Sequence, residues 1–277
     1  MSMIAHPKKS QHFLASIRQV ETFDHKAYPQ TYNRNFLLEL DPSFRVIGSR
    51  EITEENKRKF NRSYSIGCED CRLISGTRMT AVTLDTNEEW VPEMSLCDYN
   101  YETGEISKIQ PLHFGEEEKK AEKNWLVLKN MERTGSIHLI HSYDPLMIVS
   151  VDVRTGYSSL ISMKRIFHVD GCEIHGGACI YIARKKQYVV AVRVCQNHEY
   201  KFSHWLFLNE LYTFIGISDR FCFEPYSDGR KYEMCMSLTE DESEKKIFAA
   251  VSLNDKEVHV YEYLVDDLLG MIEYDRV

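Results

Sequence analysis

The sequence predicts an all-β chain folded as a five-bladed β-propeller, and three observations predict it. Nearly every segment has strand chemistry, helix signals are scarce, and one strand plan recurs at a nearly constant interval. Stretches such as "HFLASIRQV", "NFLLEL", "MTAVTL", "IHLIHSY", "LMIVSVDV", "CIYIA", "YVVAVRVC", "WLFLNELYTFIGI", "IFAAVSL" and "VHVYEYL" are short, rich in β-branched and aromatic residues, and bounded by turn residues. The recurring plan is a strand with a polar opening, a tight turn, and an apolar return strand. It starts at Glu69, Lys123, Gly176 and Tyr232, at intervals of 54, 53 and 56 residues. A further unit, "HFLASIRQV" followed by "NRNFLLELD", begins 57 residues before Glu69. A period near 50 with about four strands per unit is the mark of a propeller, and five such units fill residues 1–277 as a single domain.

The remaining elements are minor. "EEEKKAEKN" (116–124) has no apolar face and reads as a solvated loop; "EEWVPEMSLC" hints at helix. The ending "LVDDLLGMIEYDRV" fits a last strand or a short helix, and "TEDESEKK" an exposed hairpin loop.

Composition limits the function. With 277 residues, 43% hydrophobic and 27% charged, the chain has the makeup of a soluble globular protein. A net charge of −8 supplies no basic field for a nucleic-acid backbone. No apolar run is long enough for a membrane span, and the N-terminus lacks a signal peptide's apolar core. Cys195 and Cys235 lie in apolar runs and read as core residues, so a reducing, cytoplasmic location is expected.

In a propeller, the starts of the inner strands converge at one end of the central channel. Here those starts carry Glu69-Asp70-Cys71-Arg72, Lys123-Asn124-Trp125, His175-Gly176-Gly177 and Tyr232-Glu233, with Arg34 and Asn35 at the same phase of the first unit. The group combines carboxylates, cations, an amide, a histidine and a Gly-Gly that permits close backbone approach. Trp125 or Tyr232 would supply an aromatic platform for a sugar, and Lys123, Arg72 and His175 would hold a phosphate. Crowded carboxylates titrate apart, letting one serve as acid and another as base. Such a pocket suits glycosyl transfer, although Glu69, Asp70 and Arg72 would also suit a structural ion cluster.

Other motifs carry less. Cys68-x-x-Cys71 lacks a second pair at zinc spacing. His138 and His141 lie three apart on one strand and face opposite sides. His204 reads as a packing residue and Asp144 as a turn residue before proline. No Asp-x-Asp pair, Gly-rich phosphate loop or serine elbow occurs, and no cofactor or metal is expected.

At these same residues the chain resembles a known family. "GCEDCRLIS" resembles the Glu-Asp-Pro-Arg motif of five-bladed propeller enzymes that include mannoside phosphorylases and their glycosyltransferase relatives. "EKNW" is similar to the Lys-Asn segment one blade later. "HGGACIYI", "YKFSHWLFL" and "YEMCMSL…IFAAVSLND" look like later blades of propeller proteins found with glycosyltransferases. The resemblance implies glycosyl transfer between an acceptor sugar and phosphate or an activated donor. It implies Asp85, in "TLDTN", or Glu69 as the proton-handling residue, and Arg72, Lys123 and Asn124 as phosphate ligands. Asp70 and Glu233 would grip sugar hydroxyls, and His175 would stand where related proteins carry arginine. Cys71 replaces the motif proline, and Cys195 occupies the strand end where a phosphate-site histidine is expected. The expectation is therefore a glycosyltransferase-like enzyme with a nucleotide-sugar or sugar-phosphate donor and a glycan acceptor. The alternatives are a glycoside phosphorylase or hydrolase on mannoside-like oligosaccharides, and a non-catalytic propeller that binds glycans or protein.

Overall fold

The computed structural model of the chain describes residues 1–23, 30–54, 65–84, 86–87, 91–115, 125–131, 135–166, 168–197, 199–224, 232–241, 243 and 245–273. The architecture is all-β with almost no helix, and backbone contacts divide it into two compact units. The first comprises residues 1–123 and 151–159, the second 124–150 and 160–277.

The first unit holds β1 (Ser2–Ala5), β2 (Phe13–Phe23), β3 (Gln30–Leu40), β4 (Val46–Glu54), β5 (Ser65–Ile66), β6 (Glu69–Leu73), β7 (Arg78–Thr83), β8 (Glu93–Tyr99), β9 (Glu105–Pro111) and β10 (His113–Phe114). Eight of them follow the order β1-β2-β3-β4-β9-β8-β7-β6, with β5 beside β3. The sheet curls until its last strand returns to its first. Ser16 Oγ donates to the Cys71 carbonyl at 2.7 Å, Asn35 Nδ2 to the Cys68 carbonyl at 2.8 Å, and the Leu73 amide to Ser2 Oγ at 3.0 Å. These side chains satisfy backbone groups that an edge strand would otherwise leave open. Leu14, Leu37, Met79, Ala81 and Cys97 fill the space the curl encloses. Gly67 makes the entry to β6 possible: its φ is +86°, and a Cβ there would lie 2.6 Å from the Asn33 carbonyl oxygen.

In the second unit are β11 (Leu126–Met131), β12 (Ser136–Tyr143), most of β13 (Leu146–Asp152) and of β14 (Tyr157–Lys164), β15 (Glu173–Ile182), β16 (Gln187–Gln196), β17 (Glu199–Asn209), β18 (Phe214–Ile217), β19 (Glu233–Asp241), β20 (Lys246–Leu253), β21 (Glu257–Leu264) and one short helix, α1 (Val265–Gly270). Two antiparallel sheets dominate it, β15-β16-β17-β18 and β19-β20-β21. The unbroken apolar run of β16 follows from its central position. Tyr188, Val190 and Val192 enter one core, while Val189 and Ala191 on the opposite face enter another.

The strand segments read from the sequence all adopt strand structure, with "WLFLNELYTFIGI" split by a turn into the end of β17 and β18. The helix hint in "EEWVPEMSLC" fails, because Glu93–Tyr99 is a buried strand of the curled sheet. Tertiary burial there overrides a local pattern that the glutamates made look helical. The C-terminal segment resolves as the helix α1. The 116–124 loop lies outside the described residues. None of the eight cysteines is in a disulfide. Among the described residues, no helix is long and apolar enough to cross a membrane.

Candidate functional site

The opening of β6 is shaped by a bulge. Glu69 pairs with Val82 and Arg72 with Thr80, so the register shifts between them. Asp70 sits in that shift with φ +49°, a left-handed conformation that aspartate tolerates better than most side chains. The bulge turns both acidic side chains toward β2, where Arg18 Nη1 lies 3.1 Å from Asp70 Oδ1 and 3.8 Å from Glu69 Oε2. Side-chain exposures of 16% for Glu69, 31% for Asp70 and 34% for Arg18 leave the trio accessible. Arg72 is buried on the same strand. Beneath the trio, the Cys68 thiol donates to Glu54 Oε1 at 3.3 Å. A hydrogen bond with Cys68, together with burial, pushes the Cys71 thiol well up, so Cys71 is not a ready thiolate. No group among the described residues has the composition to hold a metal.

The strand β8 adds a carboxylate that sequence reasoning missed. Glu93 is buried, pairs in register with Thr83, and accepts from Thr86 Oγ1 at 2.8 Å. Asp85 itself lies outside the described residues. Lys123 and Asn124 lie outside them as well. Arg34, placed by the sequence toward the polar funnel, is committed elsewhere. Its guanidinium donates to both Glu51 oxygens at 2.9 and 2.8 Å and holds that carboxyl below its usual range.

The second unit brings His175 opposite Arg193 in the β15–β16 register. His175 Nε2 lies 3.1 Å from Glu173 Oε2. Arg193 donates to the Tyr232 hydroxyl and lies 4.7 Å from the centroid of that ring. Arg193 and Arg18 are the two cations that sequence reasoning missed. Each is the one arginine of its strand, and its side-chain partners lie far along the sequence. Glu233, which opens β19, is 1% exposed. Its carboxylate accepts the Phe223 amide at 2.8 Å, the Glu224 amide at 3.0 Å and the Tyr200 hydroxyl at 3.2 Å.

Two expectations are corrected here. Trp125 is fully buried, its ring 4.6 Å from that of His141, so it offers no platform to a ligand. The Gly-Gly at 176–177 makes room for protein atoms. A Cβ on Gly176 would lie 1.7 Å from the Tyr143 hydroxyl, and one on Gly177 would lie 2.4 Å from the Cys235 carbonyl oxygen. The histidines behave as packing residues: His138 bonds the Tyr212 hydroxyl, and His204 Nδ1 lies 2.8 Å from the Ser218 carbonyl oxygen.

No family model and no curated protein sequence matches the chain. Solved structures do. A β-1,2-mannobiose phosphorylase from Listeria innocua, in complex with β-1,2-mannobiose, is similar with a TM-score of 0.62 at 9% identity, over 95% of this chain and 89% of that one. A mutant of the GH43 protein BlXynB from Bacillus licheniformis gives 0.56 at 10% identity, over 91% of this chain and 48% of that one. An exo-1,5-α-L-arabinanase from a bovine ruminal metagenomic library gives 0.50 at 10% identity, over 94% and 91%. At these identities the likeness is one of fold, shared with β-propeller proteins named for sugars.

Proposed function

We propose that the chain is a carbohydrate-active enzyme that cleaves a glycosidic bond, by phosphorolysis or hydrolysis. One observation carries the reading. On a fold like that of the mannobiose phosphorylase, an accessible Glu69–Asp70 pair sits on a bulge beside Arg18. A purely structural clasp favours full burial, as at Glu233. In this reading Glu69 or Asp85 carries the proton to or from the glycosidic oxygen. Asp70 grips a sugar hydroxyl, with Arg18 holding its carboxylate in place. Arg72, Lys123 and Asn124 are proposed as ligands of the attacking phosphate or of the sugar. In the second unit, His175 with Arg193 and Tyr232 is a group chemically suited to an anion. For Glu233 the hydrogen bonds above favour anchoring the 221–224 segment over gripping sugar.

The glycosyltransferase reading with a nucleotide-sugar donor yields to its alternative, because the similar structures described are a phosphorylase and proteins of glycoside hydrolysis. The single-domain organisation and the count of five blades belong to the same proposal. They are supported by the sequence interval and by a likeness that spans most of the chain.

The test is to incubate the protein with mannobiose, xylo- and arabino-oligosaccharides, with and without inorganic phosphate. Sugar 1-phosphate formed only with phosphate identifies a phosphorylase, and free sugar formed without it identifies a hydrolase. Transfer from nucleotide sugars alone would overturn the proposal in favour of a transferase. Cleavage left unchanged in both Glu69→Gln and Asp85→Asn would remove these residues from the reaction.

A further inference from the structure

A second polar cleft lies in the first unit, at the far end of the strands that carry the candidate carboxylates. It encloses about 550 Å³ and is lined by Thr77, Arg78, Asp98, Asn100, Glu105 and Ser107 beside the buried Tyr99. Arg78 pairs with Asp98 across β7 and β8, whereas Glu69 pairs with Val82, four residues further along β7. At the rise of an extended strand the two places are about 13 Å apart.

The chemistry of the cleft selects a ligand class. Its cation, Arg78, donates through Nε to Asp98 Oδ1 at 3.0 Å, and Glu105 adds a second carboxylate. An anion would meet more negative charge than positive. An apolar ligand would strip water from six polar side chains without replacing its hydrogen bonds. Acceptors (Asp98, Glu105) stand among donors (Arg78, the Asn100 amide) and hydroxyls that do both (Thr77, Ser107). A neutral polyhydroxylated ring needs that mixture, since each hydroxyl both donates and accepts. The volume falls within the ordinary range for small-molecule sites, about 300–1,000 Å³.

We propose that this cleft is a second saccharide-binding site, taking one neutral sugar residue at a place separate from the Glu69 cluster. The inference rests on the carbohydrate-active reading above. Nothing in it requires the two sites to act on one molecule.

The experiment is an amide NMR titration of the full chain with β-1,2-mannobiose, xylobiose and arabinobiose at millimolar concentration. It is repeated on Asn100→Asp, Glu105→Gln and Glu69→Gln. Asn100→Asp keeps an oxygen for the Glu102 amide, which Asn100 Oδ1 accepts at 2.8 Å, but removes the side-chain donor. The expected result is shifts at 77–78, 98–100 and 105–107 that persist in Glu69→Gln. Affinity at the cleft should weaken roughly fivefold to tenfold in Asn100→Asp, about the loss of one hydrogen bond. Shifts confined to residues 69–72 or 173–175 would overturn this inference and leave the proposed function standing. Shifts at the cleft alone would support it and count against the proposed active site. No shift with any of the three sugars would overturn both.

Discussion

Glu69 and Glu233 each open a strand, one in either unit, and the sequence presents them alike, as an acid before an apolar run. Their surroundings differ. Glu233 is fully buried with three hydrogen bonds to its carboxylate, two of them from backbone amides. Glu69 stands partly open beside an aspartate in the left-handed region, with Arg18 Nη1 3.8 Å away. One acid organises its own chain, and the other, in the reading proposed above, is presented for use. A place at the mouth of a strand therefore does not settle a polar residue's role, and the supply of nearby amides and hydroxyls bears on it.

That contrast can be broken by measurement. Glu233→Ala leaves two amides and a tyrosine hydroxyl without their acceptor and should cost about 3–5 kcal/mol in denaturant unfolding. Glu69→Ala should cost under about 1 kcal/mol, as an accessible ion pair does. Equal costs would end the distinction. On activity the order reverses: Glu69→Gln should lower bond cleavage by about 10²–10⁴-fold, the usual contribution of a positioned acid or base, with the unfolding midpoint unchanged. A smaller stability effect is expected at the Gly-Gly. Gly176→Ala forces a methyl group into the Tyr143 hydroxyl and should cost about 1–3 kcal/mol, partly recovered by Tyr143→Phe.

The smallest effect concerns pH. His168 Nδ1 bonds Asp144 and its Nε2 lies 3.0 Å from Asp170, while Arg165 Nε lies 3.5 Å from Asp144. The hydrogen bond to Asp144 raises the imidazole above its ordinary value, and the same bond holds the carboxyl of Asp144 low. The stability from His168 is thus fully present below the unfolded histidine value and is lost as pH rises through the raised one. That from Asp144 is present above its unfolded value and is lost as pH falls through the lowered one. The contact should therefore favour the fold most in mildly acidic solution. An NMR titration in which His168 matches a free histidine would refute it.

Much of this was legible beforehand, for identifiable reasons. Strands such as "YVVAVRVC" declare themselves because β-branched residues on both faces suit a central strand. Glu69 and Asp70 stood out because charge at the mouth of an apolar strand needs a cause. Arg18 and Arg193 did not, since their side-chain partners, Glu69 and Asp70 for one and Tyr232 for the other, lie far along the chain and only the fold brings them near. Trp125 misled because an aromatic beside a polar segment reads the same whether it faces a ligand or His141. The hydrogen bonds of Glu233 were not legible, because amides that arrive from another segment leave no trace near it in sequence.

The curl of the first sheet has a consequence for assembly. The strand β6 is held by Ser2, Ser16 and Asn35, which lie 71, 55 and 33 residues away along the chain. Closing a loop of that length costs about 3–4 kcal/mol of chain entropy before any contact repays it. Contacts of such long range form slowly, so the last seam of this unit to close should be the one beneath Glu69 and Asp70. A molecule whose seam is still open would hold most of its strands and lack its chemistry, which makes recovery of activity a late clock for refolding.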